Sequence, residues 1–356
     1  MAHSDCGCLH RNDRRTFLKF ALAGTAAAAF GPHLLTRGAH ARETEAKPAK
    51  TKAVILLWMG GGPSQLDTWD PKPGTQNGGE FRAIDTTAAG MQISEHLPKI
   101  AAQGHRLSIL RSVNTREAAH ERGTHLMHTG YAPIEGLEFA PTGTVMSHEL
   151  SDPEFPLPTF IALSPPAIPT SRVFGERNLP FTIQNPNDPL PNIRSLVAGG
   201  RELRRQDLLR VQDEEFAKGR TGTSVERAVA SSKKAMDMMT TPLLKAFDLK
   251  NESDELRKEY GGAFGQKCLL ARRLVEVGIP FIEIGLGGWD NHQRIFDAVK
   301  RNSKQLDDGM GTLLRDLGDR GMLGDVMVLW MGEFGRTPTV NPQGGRDVCA
   351  SKRRDQ

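Results

Sequence analysis

Tyrosine is almost missing from this chain, with two in 356 residues, and aromatic residues make up only 6% of it. Cysteine is scarce as well. Of the four, Cys6 and Cys8 lie near the start, Cys268 falls inside a helical pattern and Cys349 stands near the end. That spacing excludes a disulfide-stapled scaffold, and Cys268 is expected to be a small core residue. Neither sign of charge dominates: 46 Lys+Arg face 42 Asp+Glu, a net +4. Removing the five basic and two acidic residues of segment 1–41 brings the net charge to about +1, so nothing favours a nucleic-acid partner. No apolar run reaches the roughly 20 residues needed to cross a bilayer, so no stable membrane span is expected. Internal repeats are absent, and the glycines at 60–62 lack the lysine and spacing of a phosphate-binding P-loop.

What is present begins with Asp13-Arg14-Arg15-Thr16-Phe17-Leu18-Lys19, a paired arginine followed by Phe-Leu and Lys. An alanine-rich apolar run from Phe20 to Phe30 follows, and then the small-x-small site Ala39-His40-Ala41. The three parts stand in the order of a twin-arginine signal peptide over 1–41. The expected partner is the twin-arginine translocase, which moves folded cargo, and the expected location is periplasmic or extracellular. Folding in a reducing cytoplasm before export fits the shortage of disulfides. Residues 42–52 are polar and charged with Pro48, and read as a linker.

Ala53 to Met59 is a continuous apolar run of strand length, stopped by Gly60-Gly61-Gly62-Pro63. Such a run, closed by glycines, predicts a strand buried on both faces of a parallel sheet. Leu107–Val113, Phe281–Gly285 and Val326–Trp330 are expected as further strands. Helical periodicity over Cys268–Val277 and Gln293–Leu317 alternates with them, which argues for an α/β fold with a mostly parallel sheet flanked by helices. Pro153–Pro191 is dense in proline and expected as extended loop, and Arg201–Thr240 as charged helix.

In such a sheet, ligands bind beyond the carboxyl ends of the strands. After the first expected strand come Ser64, Asp67 and Asp70. After the second come His120, Glu121, Arg122, His125 and His128. After the third comes Gly288-Trp289-Asp290-Asn291-His292, and after the fourth Gly332-Glu333-Phe334-Gly335-Arg336, then Arg346-Asp347. Oxygen and imidazole donors in this mixture suit a divalent metal such as zinc, manganese or calcium. Each residue also has a plainer role open to it. Asp290 or Asn291 can cap a helix, Glu333 can pair with Arg336, Asp67 can be a turn residue, and His125 and His128 can line the core.

The segments Met59–Pro73, His128-Thr129-Gly130-Tyr131, Trp289-Asp290-Asn291-His292 and Gly332–Pro338 resemble an exported bacterial family catalogued as domain of unknown function 1501. That family is similar to the alkaline phosphatase and sulfatase superfamily, whose members use metal ions at such strand ends to hydrolyse phosphate or sulfate esters. The resemblance implies Asp67, Asp290, His292, Glu333 and Asp347 as metal ligands. It implies His120 as acid, base or nucleophile, with Arg122 and Arg336 available to hold the anion. Two departures stand out. His120 occupies the position where Cys or Ser is expected, and Phe334 the position of a histidine. The expected domain runs over 53–347, with a proline-rich and helical insert at about 132–250. The tail 348–356 is unlike the family, in which His-Trp and further strands follow Gly-Arg-Asp, so a truncated or frameshifted end and an incomplete sheet are expected. The alternative to a phosphate or sulfate ester hydrolase is a non-catalytic exported protein that binds anionic glycans or a protein partner.

Overall fold

Along the chain the strands are β1 (Ala53–Met59), β2 (Ala83–Asp85), β3 (Gln92–Ser94), β4 (Phe160–Leu163), β5 (Phe181–Ile183), β6 (Phe281–Leu286), β7 (Val326–Met331), β8 (Gly335–Arg336) and β9 (Val348–Cys349). They come from a computed structural model that describes residues 52–163, 169–191, 193, 200–218 and 223–349. The segment expected as signal peptide and nearly all of the expected linker lie outside the described residues, as does the tail beyond Cys349.

Five strands form one sheet in the order β5-β4-β6-β1-β7, and every neighbouring pair is parallel. The apolar run of β1 places it inside that sheet, and all seven of its residues are buried. Alternate residues then serve two cores. Ala53, Ile55, Leu57 and Met59 pack with Ile282 and Ile284 of β6 and with helix Ala263–Glu276 through Leu269, Leu270 and Leu274. Val54 and Leu56 face the other way, toward Phe160, Ala162 and Phe281, with Met146 of helix Thr142–Leu150 packed against them.

The periodic stretch Gln293–Leu317 forms helix Ile295–Leu306, a π-helical turn Asp307–Gly311 and helix Thr312–Asp319. At the π turn, the two carboxylate oxygens of Asp307 accept the backbone N–H groups of Lys99 and Ile100, at 3.1 and 2.9 Å. Those amides open the short helix Pro98–Ala101 and would otherwise lack partners. Cys268 is buried as expected, and burial pushes its thiol up. Cys349, in contrast, is disulfide-bonded. Among the described residues no helix is long and apolar enough to cross a membrane.

Two expectations need correction. Leu107–Val113 forms no strand: Leu107 and Ile109 lean on the core while Leu110 is 78% exposed. Arg111 fixes its course instead, donating to the carbonyls of Trp69 and Gln92 and pairing with Asp70. The proline-dense stretch Pro153–Pro191, read as loop, contributes β4 and β5. Phe160–Leu163 is buried throughout because it lies between β5 and β6. The charged segment Arg201–Thr240 is helical as expected, over Gly200–Ala217 and Thr223–Thr240. Val348–Cys349, expected to be part of an aberrant tail, pairs antiparallel with Gly335–Arg336.

Candidate functional site

The carboxyl ends of β1, β6 and β7 meet in a chain of alternating carboxylates and imidazoles. Glu333, just past β7, is 2% exposed, and its Oε1 accepts the Gly61 N–H at 2.7 Å and lies 2.8 Å from Nδ1 of His120. Nδ1 therefore carries a proton. Nε2 of His120 faces Asp290 Oδ2 at 3.4 Å, and Asp290 Oδ1 lies 3.0 Å from Nε2 of His292. Nδ1 of His292 closes the series at 2.7 Å from Asp347 Oδ1. The inner end of the series is buried, whereas the side chains of His120, Asp290, His292 and Asp347 are each about half exposed.

Glycines permit this approach. Gly61 has φ +116°, and a Cβ there would lie 2.3 Å from the Asp290 nitrogen, so only glycine fits against the β6 loop. Gly123 lies on helix His120–Thr129, where a Cβ would meet Glu333 Cβ at 3.1 Å and the Phe334 ring at 3.2 Å. That close contact brings the first residue of the helix, His120, to Glu333.

Arg336 is fully buried behind the cluster. Its Nε donates to the Gly62 carbonyl at 2.8 Å and Nη1 to the Arg346 carbonyl at 3.0 Å, with His292 Nε2 3.5 Å from Nη1. Nη2 donates to the Gly61 carbonyl and, at 2.5 Å, to Asp290 Oδ1. Of the five N–H groups of a guanidinium, four thus donate to carbonyls and to Asp290, and the fifth is on Nη1 beside the His292 ring. Burial works against ionisation of Asp290, but the Arg336 hydrogen bond and charge, with His292 and His120, hold its carboxyl below the usual range.

Of the residues expected at a site, the structure gathers His120, Asp290, His292, Glu333, Arg336 and Asp347, and leaves two apart. Asp67 is fully buried with both oxygens on Arg346, at 2.7 Å from Nε and 3.1 Å from Nη2. Arg122 is turned outward onto Glu117, with bonds of 2.8 and 2.9 Å. Sequence reasoning missed Gln65 and Asn341. The Gln65 amide pairs with the Arg336 backbone at 2.9 and 3.0 Å, and Asn341 Nδ2 donates to the His292 carbonyl at 3.0 Å. The signal for Asn341 was a turn-forming Asn-Pro step shortly before Gly344-Gly345; Gln65 carried none.

As placed, no three His, Cys, Asp or Glu side chains among the described residues converge on one point to hold an ion. The donors satisfy one another instead. Their chemistry nonetheless suits a cation: three carboxylates stand against one guanidinium, and Glu333 Oε2 is buried with no hydrogen-bond partner.

A family model described as a protein of unknown function, domain of unknown function 1501, matches residues 51–348. The chain belongs to this family. Neither the curated proteins nor the solved structures contain a match to it.

Proposed function

We propose that this member of the domain of unknown function 1501 family is an exported, metal-dependent hydrolase of phosphate or sulfate esters, built on an alkaline phosphatase/sulfatase-like plan. The observation that supports this most is the Glu333–His120–Asp290–His292–Asp347 series at three parallel-strand ends. Its three carboxylates outnumber the one guanidinium, a set that favours a cation over an anionic ester. A divalent cation, when bound, would offset that charge and would supply Lewis-acid stabilisation to the ester oxygens. Asp290, His292 and Asp347 would hold it, with Glu333 and His120 adjoining, once the imidazoles exchange carboxylate partners for the ion. Asp67 is not counted among them, because Arg346 occupies both its oxygens.

His120 is the proton-handling group of this reading. Glu333 fixes a proton on Nδ1, and Nε2, which faces Asp290 at 3.4 Å, would take or return a proton at the reacting oxygen once Asp290 turned to the ion. Arg336 aligns Asp290 and the Gly61–Gly62 carbonyls and does not touch substrate. The twin-arginine signal supports export of the folded, loaded protein to the periplasm or beyond.

Metal analysis of the purified mature protein, paired with turnover of an aryl phosphate and an aryl sulfate, tests the reading. The expected result is a retained divalent ion and turnover that falls at least about a hundredfold in Asp290→Asn, since an electrostatic group in the site is removed. Protein that retains no metal and turns over neither ester overturns it. A second reading, a non-catalytic protein that binds an anionic glycan, draws support from His120 itself. Its ring lies between two carboxylates and 4.9 Å from the Phe334 ring, where the superfamily resemblance leads one to expect Cys or Ser. Calorimetric binding of a sulfated glycan without turnover would identify that case.

A further inference from the structure

Eight residues after His120, at the other end of the same helix, His128 is buried against the sheet. It is 2% exposed and its ring lies 4.1 Å from that of Trp58 on β1. Nδ1 stands 2.8 Å from the Thr124 carbonyl, and Nε2 stands 3.1 Å from Oε1 of Glu283 in the middle of β6. Glu283 is 1% exposed, and its Oε2 has no hydrogen-bond partner. A charged residue at the centre of a parallel strand, flanked in register by Leu56 and Ala162, has no role in packing an apolar sheet.

The contacts determine where protons sit. A carbonyl only accepts, so Nδ1 of His128 must donate to Thr124. Nε2 and Oε1 would then both be acceptors unless one further proton lies between them, on the imidazole or on the carboxyl. In either form the pair is neutral overall. Without that proton a carboxylate would face an imidazole lone pair in an apolar setting. Among the described residues no other titratable or charged side chain has a hydrogen bond or ion pair with either group. β1 and β4 bring Trp58, Leu56 and Ala162 alongside, and helix Thr142–Leu150 brings Thr142, whose hydroxyl donates to the His128 carbonyl at 2.8 Å.

We infer that His128 and Glu283 form a proton-sharing pair that seats helix His120–Thr129 on the sheet and thereby positions His120 against Glu333. Both act through the helix and are positioning residues. The inference rests on the placement of His120 in the strand-end cluster, and holds whether or not that cluster hydrolyses an ester. The same helix meets Glu333 and Phe334 through Gly123, so loosening its seat at His128 shifts the His120 end as well.

Glu283→Gln tests this directly. The glutamine amide can donate to a neutral His128 Nε2, so the pair survives with no shared proton. Two readouts are taken on metal-free full-length protein and need no turnover: the melting temperature, and the 15N spectrum of the histidine rings, which reports tautomers. In the wild type His120 shows its Nδ1–H tautomer, and Glu283→Gln is expected to melt within a few degrees of the wild type while Glu283→Leu melts well below it. Glu283→Gln keeps that His120 signal, whereas Glu283→Leu turns it into a mixture of tautomers. An unchanged His120 signal in Glu283→Leu, or a Glu283→Gln protein that melts as low as Glu283→Leu, overturns the inference. If Glu283→Leu does not fold, a His120 signal lost in Glu283→Gln still overturns it. Loss of ester turnover alone would count against the hydrolase reading and leave this one standing.

Discussion

Arg336 is where the chemistry of a single side chain decides most. Its planar fork reaches the carbonyls of Gly61, Gly62 and Arg346 and the carboxylate of Asp290 at once, joining β1, the loop after β6 and the segment after β7. Lysine has the charge but neither the fork nor enough donors on one plane. Arg336→Lys is therefore expected to lower stability by on the order of 3 kcal/mol, as breaking a buried ion pair usually does. Denaturant midpoints measure this, and a loss below about 0.5 kcal/mol, the range of ordinary surface changes, would show that the carbonyls find other partners. The type and position of this arginine were legible in the sequence, but its role was not. An arginine beside a strand end reads as an anion ligand until the engagement of its donors is known.

Between elements, a second buried arginine joins helix Ala263–Glu276 to helix Thr312–Asp319. Arg272 is 1% exposed and pairs with Glu252 at 2.8 Å, Glu276 at 2.6 Å and Asp316 at 3.0 Å, while the Tyr260 hydroxyl donates to Asp316 at 2.9 Å. Burial pushes Asp316 and Glu252 upward, but Arg320, Arg272 and Tyr260 around the first and Arg272 and Arg273 around the second more than offset it. Both carboxyls end below their usual range. Depressed carboxyls stabilise the fold fully above the unfolded value, about 4, and that contribution is lost as pH falls through the folded values. Asp316→Asn is expected to cost about 2–3 kcal/mol at pH 7 and to flatten the decline in denaturant midpoint between pH 5 and pH 3. A variant with an acid limb as steep as the wild type would locate the acid sensitivity elsewhere. The elements themselves were unevenly legible. β1, β6 and β7 have apolar runs that only a buried strand explains. β4 was hidden because its four residues sit among prolines, and β5 because it has only three. Leu107–Val113 misled in the opposite direction, since apolar alternation marks a half-buried segment whether or not a neighbouring strand supplies hydrogen bonds.

At the scale of the molecule, the strand-end cluster draws on segments far apart in the chain: Gly61, His120, Asp290–His292, Glu333–Arg336 and Arg346–Asp347. The rule that ligands lie beyond parallel-strand ends made most of this set legible from the sequence. It could not separate Asp67 from the rest, because burial on Arg346 depends on how distant loops close. An ion held by groups so distant in sequence is bound by the folded chain and not by the unfolded one, so its binding free energy adds to that of folding. At a free concentration one hundred times the dissociation constant, the gain is about 2.7 kcal/mol. For a domain of this size that corresponds to a rise in melting temperature of roughly 4 °C. Zinc, manganese and calcium are to be titrated separately against chelator-treated protein, with melting followed by circular dichroism. One of them is expected to give this rise, and the rise should shrink sharply in His292→Gln, whose ring otherwise joins Asp290 to Asp347. Arg122→Ala should respond like the wild type, because that side chain is turned away onto Glu117. Equal shifts in wild type and His292→Gln would place the ion elsewhere on the protein, and no shift with any of the three would leave the strand-end cluster as a hydrogen-bonded network of its own.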